Sequence, residues 1–139
     1  MPKRSKSVTM PRRDAPLYLA KARQLAEEAQ LALIGSRYDA AMLNSIHAGI
    51  SAADGVTVAL AGRRSTDPDH QRAADLLEEV GRGSESISDR VKQLRGLLAK
   101  KNQVEYESRR TTAKEAADAV SRAERMVQWA QEIVQRARL

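Results

Sequence analysis

A lysine, an amide and a phenol lie close together late in the chain, in the order Lys101-Asn102-x-x-x-Tyr106. An ammonium attracts phosphate, an amide donates or accepts, and a phenol can exchange a proton. The three sit in a stretch, Leu94 to Arg110, that begins apolar and ends densely charged. Residues 90–114 hold eight bases against Glu105 and Glu107. Residues 67–89, just before, hold seven acids against Arg72 and Arg82. A local positive field around Lys101 follows, and Arg95, Lys100, Lys101, Arg109 and Arg110 are its candidate RNA or phosphate contacts.

A second polar set lies earlier, in the most apolar part of the chain. Asn44, His47, Ser51 and Asp54 are spaced three, four and three, which is one stripe of a helix. Buried polar groups need partners, since an unpaired one costs a few kcal/mol. The stripe is either hydrogen-bonded to neighbouring helices or faces a polar groove or subunit interface near the basic segment. The other histidine, His70, falls in the first turn of a short helix and reads as a surface or capping residue.

Several chemistries find no residues. The chain has no Cys, which removes disulfides, thiolate zinc sites and Cys nucleophiles. With two His and no Glu-x-x-His pattern, no metal site is expected. A Gly-rich phosphate loop and a nucleophile elbow are both missing, and no cofactor is expected. No apolar run reaches the ~18 residues a membrane span needs, and the first residues lack the apolar core of a secretory signal. A cytoplasmic protein is expected, with no membrane association.

The elements that position these residues are helical. A chain of 139 residues is one domain by length. Aromatic content is 3% with no Phe, and Ala dominates, which suits closely packed helices better than a sandwich. The net charge of +6 is mostly local, because Lys3, Arg4, Lys6, Arg12 and Arg13 put +5 in residues 1–13. Those residues read as a disordered basic arm, and residues 14–139 as the folded bundle.

The first helix is expected over Pro16 to Ile34, closed by Gly35. Ser36 is then expected to cap a central helix from Arg37 to Ala61, closed by Gly62. Asp67-Pro68 starts a short helix to about residue 80, and Ser84 or Ser86 caps a long one reaching about Ser108. Gly96 within it offers room for a close helix approach. Thr112-x-x-Glu115 is a capping box that opens the last helix. There Val120, Val127 and Val134 share one heptad position and Ala116, Ala123, Ala130 and Ala137 the other. Trp129 lies off that seam, as a second core contact or an interface anchor. The fold class is all-α, an antiparallel up-down helical bundle of four long helices plus one short helix.

Taken together, the pattern resembles the HEPN superfamily (higher eukaryotes and prokaryotes nucleotide-binding domains). The carriers are Tyr38-Asp39-Ala40-Ala41 leading to Ala52-Ala53-Asp54-Gly55, the loop ending in Asp69-His70, and Lys101 to Tyr106 before a long closing helix. The resemblance spans about residues 14–138 and is closest to small stand-alone bacterial members. Many members are metal-independent ribonucleases with an Arg, a polar residue and a His a few residues on, at a site formed between two subunits. Here Lys101 stands for the Arg, Asn102 for the polar residue and Tyr106 for the His, or, in another register, Val104 stands where the His would be; in either the His is absent. A phenol, with a reference pKa near 10, is a poor base at neutral pH, and Lys cannot make the bidentate phosphate contact of Arg. The resemblance therefore implies a degenerate motif on a dimeric component of a toxin–antitoxin or defence module. Its partners would be RNA or a protein such as a cognate toxin, antitoxin or nucleotidyltransferase. Two alternatives stand beside it: an endoribonuclease with an atypical site from Lys101, Asn102, Tyr106 and His47, and a nucleic-acid-binding adaptor.

Overall fold

The computed structural model describes residues 6–139. The elements in order are β1 (Ser7–Thr9), α1 (Ala15–Ile34), α2 (Tyr38–Ala61), β2 (Arg63–Ser65), α3 (Gln71–Val80), α4 (Glu85–Ala99), α5 (Lys101–Tyr106) and α6 (Ala113–Arg136). A turn of 3-10 helix at Arg12–Asp14 leads into α1. The fold is mostly helical, and α2 is its centre. Met42, Ile46, Val56 and Val58 are fully or almost fully buried, so α2 has little outward face. The Ala-rich side of α1 (Leu19, Ala22, Ala26, Ala29) and the α6 seam (Ala116, Val120, Ala123, Val127, Ala130, Val134) pack with it into the core. Small side chains at these positions let the helix backbones come close.

Two of the helix starts read as capped, those of α4 and α6, are capped. Thr112 Oγ1 accepts from the Glu115 N–H, and Glu115 Oε1 accepts from the Thr112 N–H, both at 3.1 Å. Ser84 Oγ accepts from the Ile87 N–H at the start of α4. Gly62 ends α2 with φ 63°, the left-handed conformation that Gly adopts without a steric cost. Trp129 is a core residue, 6% exposed, and its Nε1–H donates to Ser86 Oγ at 3.2 Å.

Five expectations need correction. The basic arm is not free throughout. Ser7–Thr9 pairs antiparallel with Arg63–Ser65, Val8 opposite Arg64, because the extended chain after α2 offers it an open edge. Met10 N–H to the Gly62 carbonyl and Arg12 Nε–H to the Ala59 carbonyl fasten it further. Residues 1–5, with Lys3 and Arg4, lie outside the described residues. Ser36 does not cap α2. It takes φ 59° in a Schellman turn, with Ser36 N–H to Leu33 O and Arg37 N–H to Ala32 O, while Gly35 stays at φ −82°. The short helix begins at Gln71 instead of Pro68, because Asp67 and Asp69 carboxylates first accept from the backbone of Asp69 and Gln71. The long fourth helix stops at Ala99, and α5 restarts as a separate short helix. Four long helices and one short one thus become four long and two short, with a two-stranded ribbon. Finally, Gly96 makes room for a side chain, not a backbone: a Cβ there would lie 2.8 Å from an Arg122 guanidinium nitrogen.

Candidate functional site

The break at Lys100 decides which residues of the motif can act together. In α5, Lys101 and Glu105 are one helical turn apart and their side chains form an ion pair of 2.8 Å, 20% and 25% exposed. Val104, beside them, packs against the core. Tyr106 is five residues from Lys101, which is not a helical repeat, and it stands 78% exposed. Asn102 is exposed too. Lys101, Asn102 and Tyr106 therefore do not converge: Lys101 is held inward, while Asn102 and Tyr106 meet solvent.

What does converge on Lys101 comes from elsewhere. His47, on the polar stripe of α2, stands edge-on to His70, with ring centroids 6.1 Å apart and planes at 90°. Burial lowers the pKa of His70, and the nearby positive charges of Lys101 and His47 lower it further, against the opposing pull of Glu105 and Asp69. His70 is therefore a neutral imidazole at neutral pH. The hydrogen bond from Lys101 holds the Glu105 carboxyl below its usual range, helped by the charge of Lys101. Two imidazoles, an ammonium and a carboxylate thus share one corner, built by α2, the residue before α3, and α5. Of these, His47 and Lys101 were candidates from sequence. His70 was read as surface or capping, yet its side chain caps nothing. Glu105 was noted only as a salt-bridge neighbour of Lys101. The signal available for His70 was scarcity: it is one of two histidines in the chain.

The basic residues around the site are mostly neutralised. Arg95 donates to Asp75 at 2.7 Å, Glu78 at 3.0 Å and Gln71 at 3.3 Å, which fastens α4 to α3. Lys100 and Arg109 both pair with Glu115, at 3.3 and 3.0 Å. Those hydrogen bonds, Arg109 first, hold the Glu115 carboxyl well below the usual carboxylate range. Arg110 is exposed and makes no ion pair among the described residues. The other four of the five phosphate contacts read from sequence carry an acid partner.

The α2 stripe behaves differently. Asn44 Nδ2–H donates to the Ala40 backbone carbonyl of its own helix at 2.9 Å. Ser51 is half-buried. Asp54 is 8% exposed, and burial pushes its carboxyl up to about 7, with Arg64 and then Lys21 pulling the other way. The stripe is thus a polar face of a buried helix with few protein partners. Among the described residues no group of three or more His, Cys, Asp or Glu is placed to hold a metal ion, and no helix is long and apolar enough to cross a membrane.

No curated protein matches this chain. A family model described as HEPN domain matches residues 15–133, from the first residue of α1 almost to the end of α6. That span contains His47, His70, Lys101, Glu105 and the whole α2 stripe, and leaves out β1. The match covers well over half of the sequence, and the chain belongs to the HEPN domain family.

Proposed function

We propose that this protein is a component of a bacterial toxin–antitoxin or defence module that engages RNA at the His47, His70 and Lys101 corner. The observation that carries this reading is the meeting of both histidines with Lys101 and Glu105 on the polar side of α2. A phosphodiester entering there meets an ammonium and two ring N–H or N acceptors, and displaces Glu105 from Lys101. The helices are read as an antiparallel up-down bundle. The protein works as a cytoplasmic homodimer beside a protein partner, such as a cognate toxin, antitoxin or nucleotidyltransferase. In this reading the Lys101-Tyr106 motif is degenerate, because Tyr106 stands away from Lys101.

A second reading, metal-independent endoribonuclease, is favoured by the placement of His70 beside His47. Two imidazoles can divide the work of RNA transesterification. The neutral His70 takes the proton of a 2′-hydroxyl as that oxygen attacks the adjacent phosphorus. The bond to the 5′-oxygen breaks, His47 gives that oxygen a proton, and Lys101 stabilises charge on the phosphoryl oxygens.

One experiment separates the two. Purified protein is mixed with labelled single-stranded RNA in a chelating buffer, and both retention and cleavage are followed. Binding without cleavage, weakened in Lys101→Ala, supports the first reading. Cleavage lost in His47→Ala and in His70→Ala supports the second. Absence of both binding and cleavage removes RNA from the function. Light scattering tests the dimer, expected at about twice the 15.3 kDa of one chain; a monomer at micromolar concentration contradicts it.

A further inference from the structure

The stripe that carries His47 does not end there. Asp54 lies two turns further along the same face of α2, about 10 Å away at 1.5 Å per residue. A second group of charges gathers at that end. The Tyr18 ring of α1 has Lys21 Nζ 5.8 Å and the Arg64 guanidinium carbon 5.9 Å from its centroid. Both distances lie within cation–π range. Arg64 comes from β2, opposite Val8 of β1, so the ribbon that fastens the amino-terminal segment also sets this guanidinium in place.

Two features show that protein groups leave these cations incompletely partnered. The Arg64 Nε–H is buried and has no acceptor among the described residues. A buried donor left unpaired is costly, and a charged one more so. Asp54 is the nearby acid, but neither Lys21 nor Arg64 forms an ion pair with it among the described residues. Burial also pushes its carboxyl up to about 7, so it balances the two cations incompletely. The contrast with Arg95 is plain, since Arg95 has two carboxylates within 3.0 Å. Between the two ends of the stripe runs the loop from Thr66 to His70. Its acids, Asp67 and Asp69, turn their carboxylates to the loop's own backbone N–H groups.

We propose that Lys21 and Arg64 form a second phosphate subsite, held by Tyr18, that takes the backbone of the same single RNA strand whose other phosphate lies at His47 and Lys101. Tyr18 is a positioning residue, since its ring places the two cations. The inference rests on the RNA reading above. It adds to it the direction of the strand, along the α2 stripe, and a minimum length: an RNA that reaches only one end gains nothing from the other.

The test compares a short oligouridylate, which fills one end, with one several nucleotides longer, measured by fluorescence anisotropy at two salt concentrations. The wild type is expected to prefer the longer strand. Arg64→Ala and Lys21→Ala should each lower affinity for the longer strand about tenfold, as loss of one charge-assisted contact implies. Each should also reduce its salt dependence by about one released counterion. Affinity for the short strand, which the His47 and Lys101 end still holds, should fall far less. Tyr18→Phe should keep the preference, and Tyr18→Ala should lose it. Equal weakening of both strands, or no change with the longer strand, overturns the subsite while leaving the RNA reading in place. A wild type that binds neither strand sinks the RNA reading itself, and the subsite with it.

Discussion

The segment around α5 and the stripe on α2 are both polar, but they use their polar groups in opposite ways. The former is rich in charge, and most of that charge is matched. Arg95 is taken by Asp75 and Glu78, and Lys100 and Arg109 are taken by Glu115. The α2 stripe is sparse, and its groups are left open. His47 meets another histidine, Asp54 forms no ion pair among the described residues although Arg64 and Lys21 act on it, and the Arg64 Nε–H lacks an acceptor among them. Charge that has found its partner ties elements together. A polar group held in place without a partner is available to a ligand. The two regions meet at Lys101, whose pair with Glu105 lies near His47 and His70.

If partnered groups are what hold the fold, truncating a large buried side chain that has its partner should show the largest stability effect. Trp129 is buried and its indole N–H joins α6 to the start of α4 at Ser86. Trp129→Ala is expected to cost about 3–5 kcal/mol, as truncation of a buried large aromatic does. Urea denaturation checks this through a lower midpoint at unchanged slope. A loss below about 1 kcal/mol would mean that the α4–α6 contact is not what secures that side of the bundle.

The open region should show a penalty of its own, and pH reveals it. The Asp54 carboxyl titrates at about 7 when folded and near 3.8 when unfolded. Between those values the folded state holds the proton and the unfolded state releases it. Stability therefore falls as pH rises from about 4 to about 7 and is level above that. The difference corresponds to about 4 kcal/mol at most. Asp54→Asn keeps the shape and removes the titration. This variant should gain stability over the wild type at pH 8 and little or none at pH 4, and its stability should lack that slope. A wild type as stable at pH 8 as at pH 5, other titrations being common to both proteins, shows that Asp54 is solvated or paired.

The sequence made the local features legible. The capping box at Thr112 and Glu115, the Ser84 cap, the heptad of Val and Ala in α6, and the apolar run of α2 depend on residues a few positions apart. What escaped depends on distant partners or on competing turns. Val8 and Arg64 pair across 56 residues, and three-residue strands carry no alternation to detect. Gly35 looked like the left-handed residue after α1, but the Schellman hydrogen bonds place that role on Ser36. The break at Lys100 has no Pro or Gly to mark it. For the site, reading by charge density led to residues 90–114, where acids from other elements neutralise the bases. The stripe at His47, Ser51 and Asp54 was visible by its spacing, but its partners, His70, Lys21 and Arg64, come from three other segments.

The smallest effects give the sharpest test of this division, because Arg95 and Lys101 are cations six residues apart with opposite assignments. Arg95→Ala removes a half-exposed pair of ion contacts between α3 and α4, with a cost of about 1 kcal/mol, the upper end for exposed pairs. It should leave RNA affinity unchanged, because this guanidinium is already taken. Lys101→Ala removes a single contact within one short helix, Lys101 to Glu105, and should leave the urea midpoint where it is. It should weaken RNA binding and flatten its salt dependence by about one counterion. A general positive field would make the two variants lose affinity alike, since each removes one positive charge from the same stretch. A site built on the open side of α2 makes them differ, with stability following Arg95 and binding following Lys101.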